Sequence, residues 1–289
     1  MIGNCEMLLG YNTNGLAHHD PFDAITLVAE IGYRSVAITL DHGPLNPFAS
    51  GWQANLKRLK EELRRLGLKS VIETGARFLL NPRIKHEPTL VSASADDRQV
   101  RIDFLRRAVD AAALLESDCV SLWSGIRRDA ASDEETLERL AESLRSVLRH
   151  ATNSNVILGF EPEPGMFIDT HKSYQRLLQW IDAPHLQLTL DVGHLWCQGE
   201  LPIADYIARW GQQIVNVHIE DMRAGVHEHL MFGEGEMQFP PILAALAKTG
   251  YRGGLHVELS RHSHEAPTAA RKAYDFLKPL IDQVPPTRT

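Results

Sequence analysis

The chain has 289 residues, with 30 Lys and Arg against 37 Asp and Glu, a formal net charge of −7, 44% hydrophobic and 23% charged residues. That length suits one large α/β barrel or two average domains with a substantial core. The negative balance argues against nucleic-acid binding unless a basic groove is set aside locally, and no apolar run approaches the ~18 residues that a membrane-spanning helix needs.

Short apolar runs alternate with amphipathic stretches along the whole chain. Strands are predicted at 7–13, 34–41, 68–74, 118–125, 156–163, 186–193, 214–221 and 253–260, with helices at 21–31, 53–66, 98–115, 133–150, 171–181, 202–210, 239–249 and 265–282. In ANLKRLKEELRRLGL, Leu56, Leu59, Leu63 and Leu66 recur at helical spacing, and Gly67 follows as a C-cap. Asp20-Pro21, Ser132 and Thr170 mark helix starts. Eight strand–helix pairs imply a mostly parallel sheet, because each helix supplies the crossover that parallel strands require. Closure of that sheet gives an α/β fold, a (β/α)8 TIM barrel forming a single domain over 1–289. A doubly wound sheet is the alternative, but the first strand–turn has no GxGxxG. Residues 75–97 form the longest irregular piece and are expected to be a lid or a mobile wall of the site. Cys5, Cys119 and Cys197 are scattered, odd in number and form no CxxC pair, while MIGNCEMLLGYNTNG lacks a basic start and a long apolar segment. Both features set the expectation of a reduced, cytoplasmic protein.

The C-terminal ends of barrel strands converge on one mouth, where active sites sit. The fifth strand ends in Glu161 and Glu163, the sixth in Asp191, the seventh in His218 and the eighth in Glu258. Neighbouring strands lie about 4.8 Å apart, so these side chains can meet around one ion. A carboxylate after a strand is commonly a helix N-cap or a solvated loop residue. Ligating groups on four consecutive strand ends, however, describe a metal site, since a dication neutralises carboxylates that would otherwise repel each other in an apolar interior. Three oxygens and one imidazole suit manganese or magnesium, and also cobalt or zinc.

The motifs FEPEP (160–164), LDVGH (190–194), VNVHIED (215–221), FGEGEMQFPPILAALAKTGYRGG (232–254) and HVEL (256–259) resemble the sugar phosphate isomerase/epimerase superfamily. These are xylose isomerase-like TIM barrels, a group that includes ketose 3-epimerases and endonuclease IV. The N-terminal half fits by strand count. The resemblance implies one divalent metal held by Glu161, Asp191, His218 and Glu258. It further implies that Glu161 and Glu258 are a catalytic pair, shuttling a proton beside the carbonyl of a sugar, keto-sugar or polyol derivative. Glu163 shares the strand parity of Glu161 and is either a substrate contact or a rim residue.

His194, Arg223, His227 and His229 form a second cluster, expected to bind substrate hydroxyls or a phosphate. A second metal at His194/His227/His229 is the alternative, because the resemblance to endonuclease IV extends to these three positions. Trp123 is a candidate for stacking on a sugar face, and His262 or His264 for lining the site. His42 and His86 are weaker candidates, read first as loop histidines. Endonuclease IV takes further zinc ligands from the third and fourth strand ends, where this chain has Glu73 and Trp123, so a phosphodiesterase is the lesser reading. The expected function is thus a metal-dependent isomerase or epimerase of carbohydrate metabolism, with a small sugar-like substrate and neither nucleic acid nor membrane as partner. A lyase or dehydratase acting through the same site is the enzymatic alternative, and a non-catalytic metal- or sugar-binding barrel the other. Homo-oligomerisation, common among barrels, stays open.

Overall fold

The computed structural model describes residues 7–284; Cys5 lies outside them. Eight parallel strands close into a barrel: β1 (Leu8–Asn12), β2 (Ser35–Thr39), β3 (Lys69–Glu73), β4 (Val120–Leu122), β5 (Leu158–Phe160), β6 (Leu186–Asp191), β7 (Ile214–Ile219) and β10 (Gly254–Val257). The circuit runs β1-β10-β7-β6-β5-β4-β3-β2, sequential order throughout once the small hairpin β8 (Asp221–Arg223)/β9 (Val226–Leu230) is set aside. This is the (β/α)8 barrel that the alternation of elements predicts. Helices α1 (Pro21–Ile31), α2 (Trp52–Leu66), α3 (Ala95–Leu115), α4 (Asp133–Asn153), α5 (His171–Leu178), α7 (Ile203–Trp210), α8 (Phe239–Lys248) and α9 (Ala266–Asp282) fall at the expected places. Two elements were not foreseen: the short helix α6 (Val192–Cys197) directly after β6, and the β8/β9 hairpin after β7. α6, VGHLWC, is six residues long, too short for a helical period to show, and the hairpin strands DMR and VHEHL carry no sustained apolar alternation.

The expected cap chemistry is realised. The Asp20 carboxylate accepts from the Phe22 amide at 2.9 Å with Pro21 in the first turn of α1. Ser132 and Glu135 close a reciprocal capping box at α4, and Thr170 and Ser173 do so at α5. In α2 the predicted apolar stripe is the buried one, with Leu56, Leu59 and Leu63 each at most 4% exposed.

Two compact units can be distinguished. One runs to Ile38 and takes in Glu62–Ser70 and everything from Leu190 onward. Within it β10 pairs in parallel with both β1 and β7. The other comprises Thr39–Glu61 and Val71–Thr189, and within it β4 pairs with β3 and β5. In this second unit α3 begins at Ala95, three residues ahead of expectation, because Ser94 caps it. The irregular segment is correspondingly shorter and is held from beneath. Buried Arg101 on α3 donates to the carbonyl oxygens of Pro88 (2.7 Å), Thr74 (3.0 Å) and His86. Thr89, Leu90 and Val91 are each 1% exposed. The segment is therefore a fixed wall in its second half.

No carboxylate is hydrogen-bonded to Arg101 among the described residues; its three hydrogen bonds all go to backbone carbonyls. Arg101→Met should leave those acceptors without a donor. The expected loss is about 2–4 kcal/mol in a urea titration, together with earlier proteolytic cutting between 75 and 94.

Candidate metal centre and active site

Asp191 ends β6 with its two oxygens in different roles. Oδ1 accepts the backbone N–H of His194 at 2.9 Å and so caps α6. Oδ2 is buried and accepts no N–H, 3.4 Å from His194 Nε2 and 3.9 Å from His218 Nδ1. The helix-cap reading of this residue holds through Oδ1, and Oδ2 is the atom left over for the ligand reading. From β7, His218 turns Nδ1 toward Glu258 Oε2 at 2.9 Å. Asn14, just after β1, donates to Glu258 Oε1 at 2.7 Å. Within the first unit, one donor atom each of Asp191, His218 and Glu258 lies within 4.8 Å of the others. These are three of the four residues expected from the strand ends; the fourth, Glu161, is buried directly after β5 in the second unit.

Charge in this pocket is unevenly distributed. Burial works to raise Asp191, but the imidazoles of His194 and His218 outweigh it and hold the carboxyl below its ordinary range. Burial likewise opposes ionisation of Glu258, yet His218, facing it at hydrogen-bond distance, keeps it well below the usual carboxylate range. Glu220 behaves in the opposite way. It is 0% exposed, and burial, the nearby Asp191 and Glu258, and a side-chain hydrogen bond with Asp191 push it well above the ordinary value. Its Oε1 occupies the space that a Cβ on Gly193 would need, at 1.8 Å, so LDVGH requires glycine there for reasons of contact. Carboxyl groups driven apart in this way are the usual equipment of acid–base chemistry.

A second cluster stands beside the first. His194 Nε2 and His227 Nε2 are 3.1 Å apart, and His229 Nδ1 donates to the Glu258 carbonyl oxygen at 3.2 Å. Donor atoms of His194, His227 and His229 fall within 4.8 Å of one another. Burial lowers His194 to about 4 and also lowers His227, so both rings are neutral near pH 7. His227 and His229 are carried on β9, and the turn that follows is fixed by Asp221. That carboxylate accepts the amides of Met222 (2.9 Å), Gly233 (2.9 Å), Gly235 (3.0 Å) and Met237 (3.1 Å). A Cβ at Gly235 would meet Asp221 Oδ1 at 2.2 Å, which explains the glycine of the FGEGE motif.

Other expected residues lie elsewhere or in mixed settings. Arg223 is exposed and donates to the Glu234 carbonyl oxygen at 3.2 Å. Trp123 follows β4 half-buried, with His86 edge-on at 5.3 Å and Arg101 over its ring at 4.9 Å. His262 is half-buried and its Nδ1 has no partner. His42 and His264 are exposed. Four residues of the pocket were missed: Asn14, Asn216, Glu220 and His256. Strand parity could have found three of them, since Asn216, His218 and Glu220 alternate in VNVHIED, and His256 and Glu258 in HVEL.

A family profile described as xylose isomerase-like TIM barrel matches residues 25–280. The chain belongs to that family. Among curated relatives, an L-ribulose-5-phosphate 3-epimerase, UlaE, of Salmonella heidelberg is 24% identical over 256 residues, 88% of this chain and 87% of the relative. A 3-dehydroshikimate dehydratase of Pseudomonas putida is 28% identical over 196 residues, 64% of this chain. The match covers only 30% of that dehydratase, and 57% of an uncharacterised Methanocaldococcus jannaschii protein that is 27% identical over 167 residues. Among solved structures, a D-tagatose 3-epimerase-like protein superposes with a TM-score of 0.79 at 21% identity, covering 96% of this chain and 98% of that one. The 3-keto-D-glucoside 4-epimerase YcjR of E. coli gives 0.74 at 18% identity, covering 95% of this chain and 100% of that one. Both structural likenesses are likenesses of fold.

Asp221→Ala should release four amides at once. We expect a loss of about 2–4 kcal/mol and faster hydrogen exchange at Gly233, Gly235 and Met237, measured by amide exchange with mass spectrometry.

Proposed function

We propose that this chain is a divalent-metal-dependent isomerase or epimerase of a small keto-sugar or polyol derivative. The observation that carries the reading is the convergence of Asp191, His218 and Glu258, with Asp191 Oδ2 buried and accepting no N–H; Glu161, after β5, is the fourth ligand of this reading. An ionised buried carboxylate oxygen that accepts no N–H is costly, and a cation is the compensation that three carboxylates and an imidazole offer in common. These four residues would hold the ion. A divalent ion held there polarises a substrate carbonyl and its neighbouring hydroxyl, lowering the cost of charge developing on their oxygens.

The remaining work falls to side chains. Glu258, kept ionised by His218 and oriented by Asn14, is suited to take the proton from the carbon beside the carbonyl. Glu161 returns a proton drawn from solvent to the opposite face of the same carbon, while Glu258 releases the one it took, so that configuration inverts and mass is unchanged. His194, His227 and His229, with Glu163, offer hydrogen bonds to substrate hydroxyls; Arg223, Trp123 and His262 are assigned to the outer part of the substrate site. A second divalent ion at the three histidines is the competing use of that cluster, supported by the 4.8 Å convergence of their donor atoms.

A lyase is the second reading, favoured by the similarity to the Pseudomonas putida dehydratase. The same abstraction by Glu258, followed by loss of a leaving group at the next carbon, would give elimination instead of inversion. Product mass separates the two: unchanged for epimerisation, reduced by water or an aglycone for elimination.

Metal-loaded protein should contain about one divalent ion per chain by elemental analysis, and Asp191→Ala should lose it. Screened against ketoses, inososes and their phosphates in deuterated water, the enzyme should place deuterium on the carbon next to the carbonyl. Glu258→Gln should slow that wash-in by at least ~100-fold. Absence of wash-in with every substrate that is consumed would overturn the epimerase reading.

A further inference from the structure

Beneath the metal centre, a line of buried polar side chains crosses the barrel interior. Ser35 Oγ lies 2.8 Å from His256 Nε2, His256 Nδ1 lies 2.7 Å from Asn216 Oδ1, and Asn216 Nδ2 lies 3.1 Å from His218 Nε2. The other nitrogen of His218 is the one that faces Glu258 and Asp191. The line ends in Ser35 Oγ, 3.4 Å from the Lys69 carbonyl oxygen. Ser35, Asn216 and His256 are all 0% exposed, and none of them belongs to the ligand set.

The fold makes room for this line at the expense of side chains elsewhere. His256 reaches across β1 to β2, and both Gly10 and Gly254 are bare beneath its ring. A Cβ at Gly10 would come within 2.4 Å of His256 Cδ2, and one at Gly254 within 2.1 Å of His256 Cε1. Gly10 is the register partner of both Ser35 and His256, and His256 is that of His218. A hydrophobic filler would be the simpler occupant of a barrel core.

Hydrogen-bond bookkeeping allows two self-consistent states. In the first, His218 carries its proton on Nδ1 and gives it to Glu258. Its Nε2 accepts from the Asn216 amide, Asn216 Oδ1 accepts from His256 Nδ1–H, and His256 Nε2 accepts from Ser35. In the second, the Asn216 amide is turned over. His218 Nε2–H donates to Asn216 Oδ1, Asn216 donates to His256 Nδ1, His256 Nε2–H donates to Ser35, and Ser35 donates to the Lys69 carbonyl oxygen. Each ring holds one proton in both states, so the proton count is the same. A metal ion bound through His218 Nδ1 needs that nitrogen's lone pair and is compatible only with the second state.

We propose that Asn216, His256 and Ser35 are positioning residues that form a two-state hydrogen-bond relay, in which binding of a divalent cation at His218 Nδ1 turns over the Asn216 amide and moves the His256 proton from Nδ1 to Nε2. The inference rests on the metal-site reading given above. It extends that reading to residues that touch neither ion nor substrate, and it makes His256 a remote reporter of occupancy.

The test uses full-length protein labelled with nitrogen-15 at histidine, stripped with chelator and then loaded with Zn2+, a diamagnetic ion. Two-bond nitrogen–proton correlation spectra should show the His218 and His256 protons on Nδ1 before loading and on Nε2 afterwards. Asn216→Leu should weaken Zn2+ binding about 10- to 100-fold in a chelator competition. Asn216→Asp, whose two oxygens both accept, should retain wild-type affinity while fixing the His256 proton on Nδ1 in both forms. An unchanged His256 tautomer in the zinc-loaded wild type, or wild-type affinity in Asn216→Leu, overturns the relay while leaving the metal site standing. Failure of the wild type to bind Zn2+ overturns both. If Asn216→Leu does not fold, the wild-type spectra and Asn216→Asp still decide.

Discussion

A buried carboxylate oxygen without an N–H donor is the constraint around which the rest of this molecule is arranged. Asp191 Oδ2 sits at a strand end and accepts no N–H, and every neighbour responds to it. His194 and His218 turn ring nitrogens toward it, Glu258 is kept ionised beside it, and Glu220 is driven toward its neutral form. Such an arrangement in an apolar barrel core would be unfavourable unless positive charge is supplied. On the reading proposed above, the cluster is a receptor for a cation: Asp191 Oδ2 accepts no N–H, and the nearest acid able to donate to it, Glu220, is itself driven to its neutral form by burial.

The scaffold supports that centre through contacts that favour particular residues at some cost in packing. Gly193 yields its side-chain space to Glu220, Gly235 to Asp221, and Gly10 and Gly254 to His256. Each of these glycines gives up apolar contact that a larger residue would have made. The gain is polar positioning, close to the arrangement expected when ligands must be held within a fraction of an ångström. The fold therefore sacrifices core volume at the mouth and the interior layer beneath it, while the outer helices keep their conventional caps and apolar stripes.

Much of this was legible in the sequence. The eight strand–helix repeats, the caps at Asp20, Ser132 and Thr170, and the Leu56–Leu59–Leu63 stripe are local signals, and local signals survive into the fold. The placement of Glu161, Asp191, His218 and Glu258 at four strand ends was readable from their spacing at successive βα intervals; that they hold an ion is the proposal made above. Asn14, Glu220 and the Ser35–His256–Asn216 line were not read. Alternation within VNVHIED and HVEL marks Asn216, Glu220 and His256 as inward-facing, but their linkage to Ser35 lies in cross-strand register and packing over glycines, which no single segment displays. The β8/β9 hairpin was missed for a related reason: DMRAGVHEHL is held by Asp221 reaching to the amides of Gly233, Gly235 and Met237, a contact across the loop and not a periodicity within it.

The curated relatives include an epimerase matched over most of its length and a dehydratase matched over a minor part of its own. What all readings of the site have in common is the cation, so its position is the point on which the account stands. Anomalous diffraction from crystals soaked in Mn2+ tests it most directly. The account predicts one dominant peak within bonding distance of Asp191 Oδ2, His218 Nδ1 and carboxylate oxygens of Glu161 and Glu258. Density showing those side chains hydrogen-bonded among themselves, with no anomalous peak at saturating manganese, would contradict it.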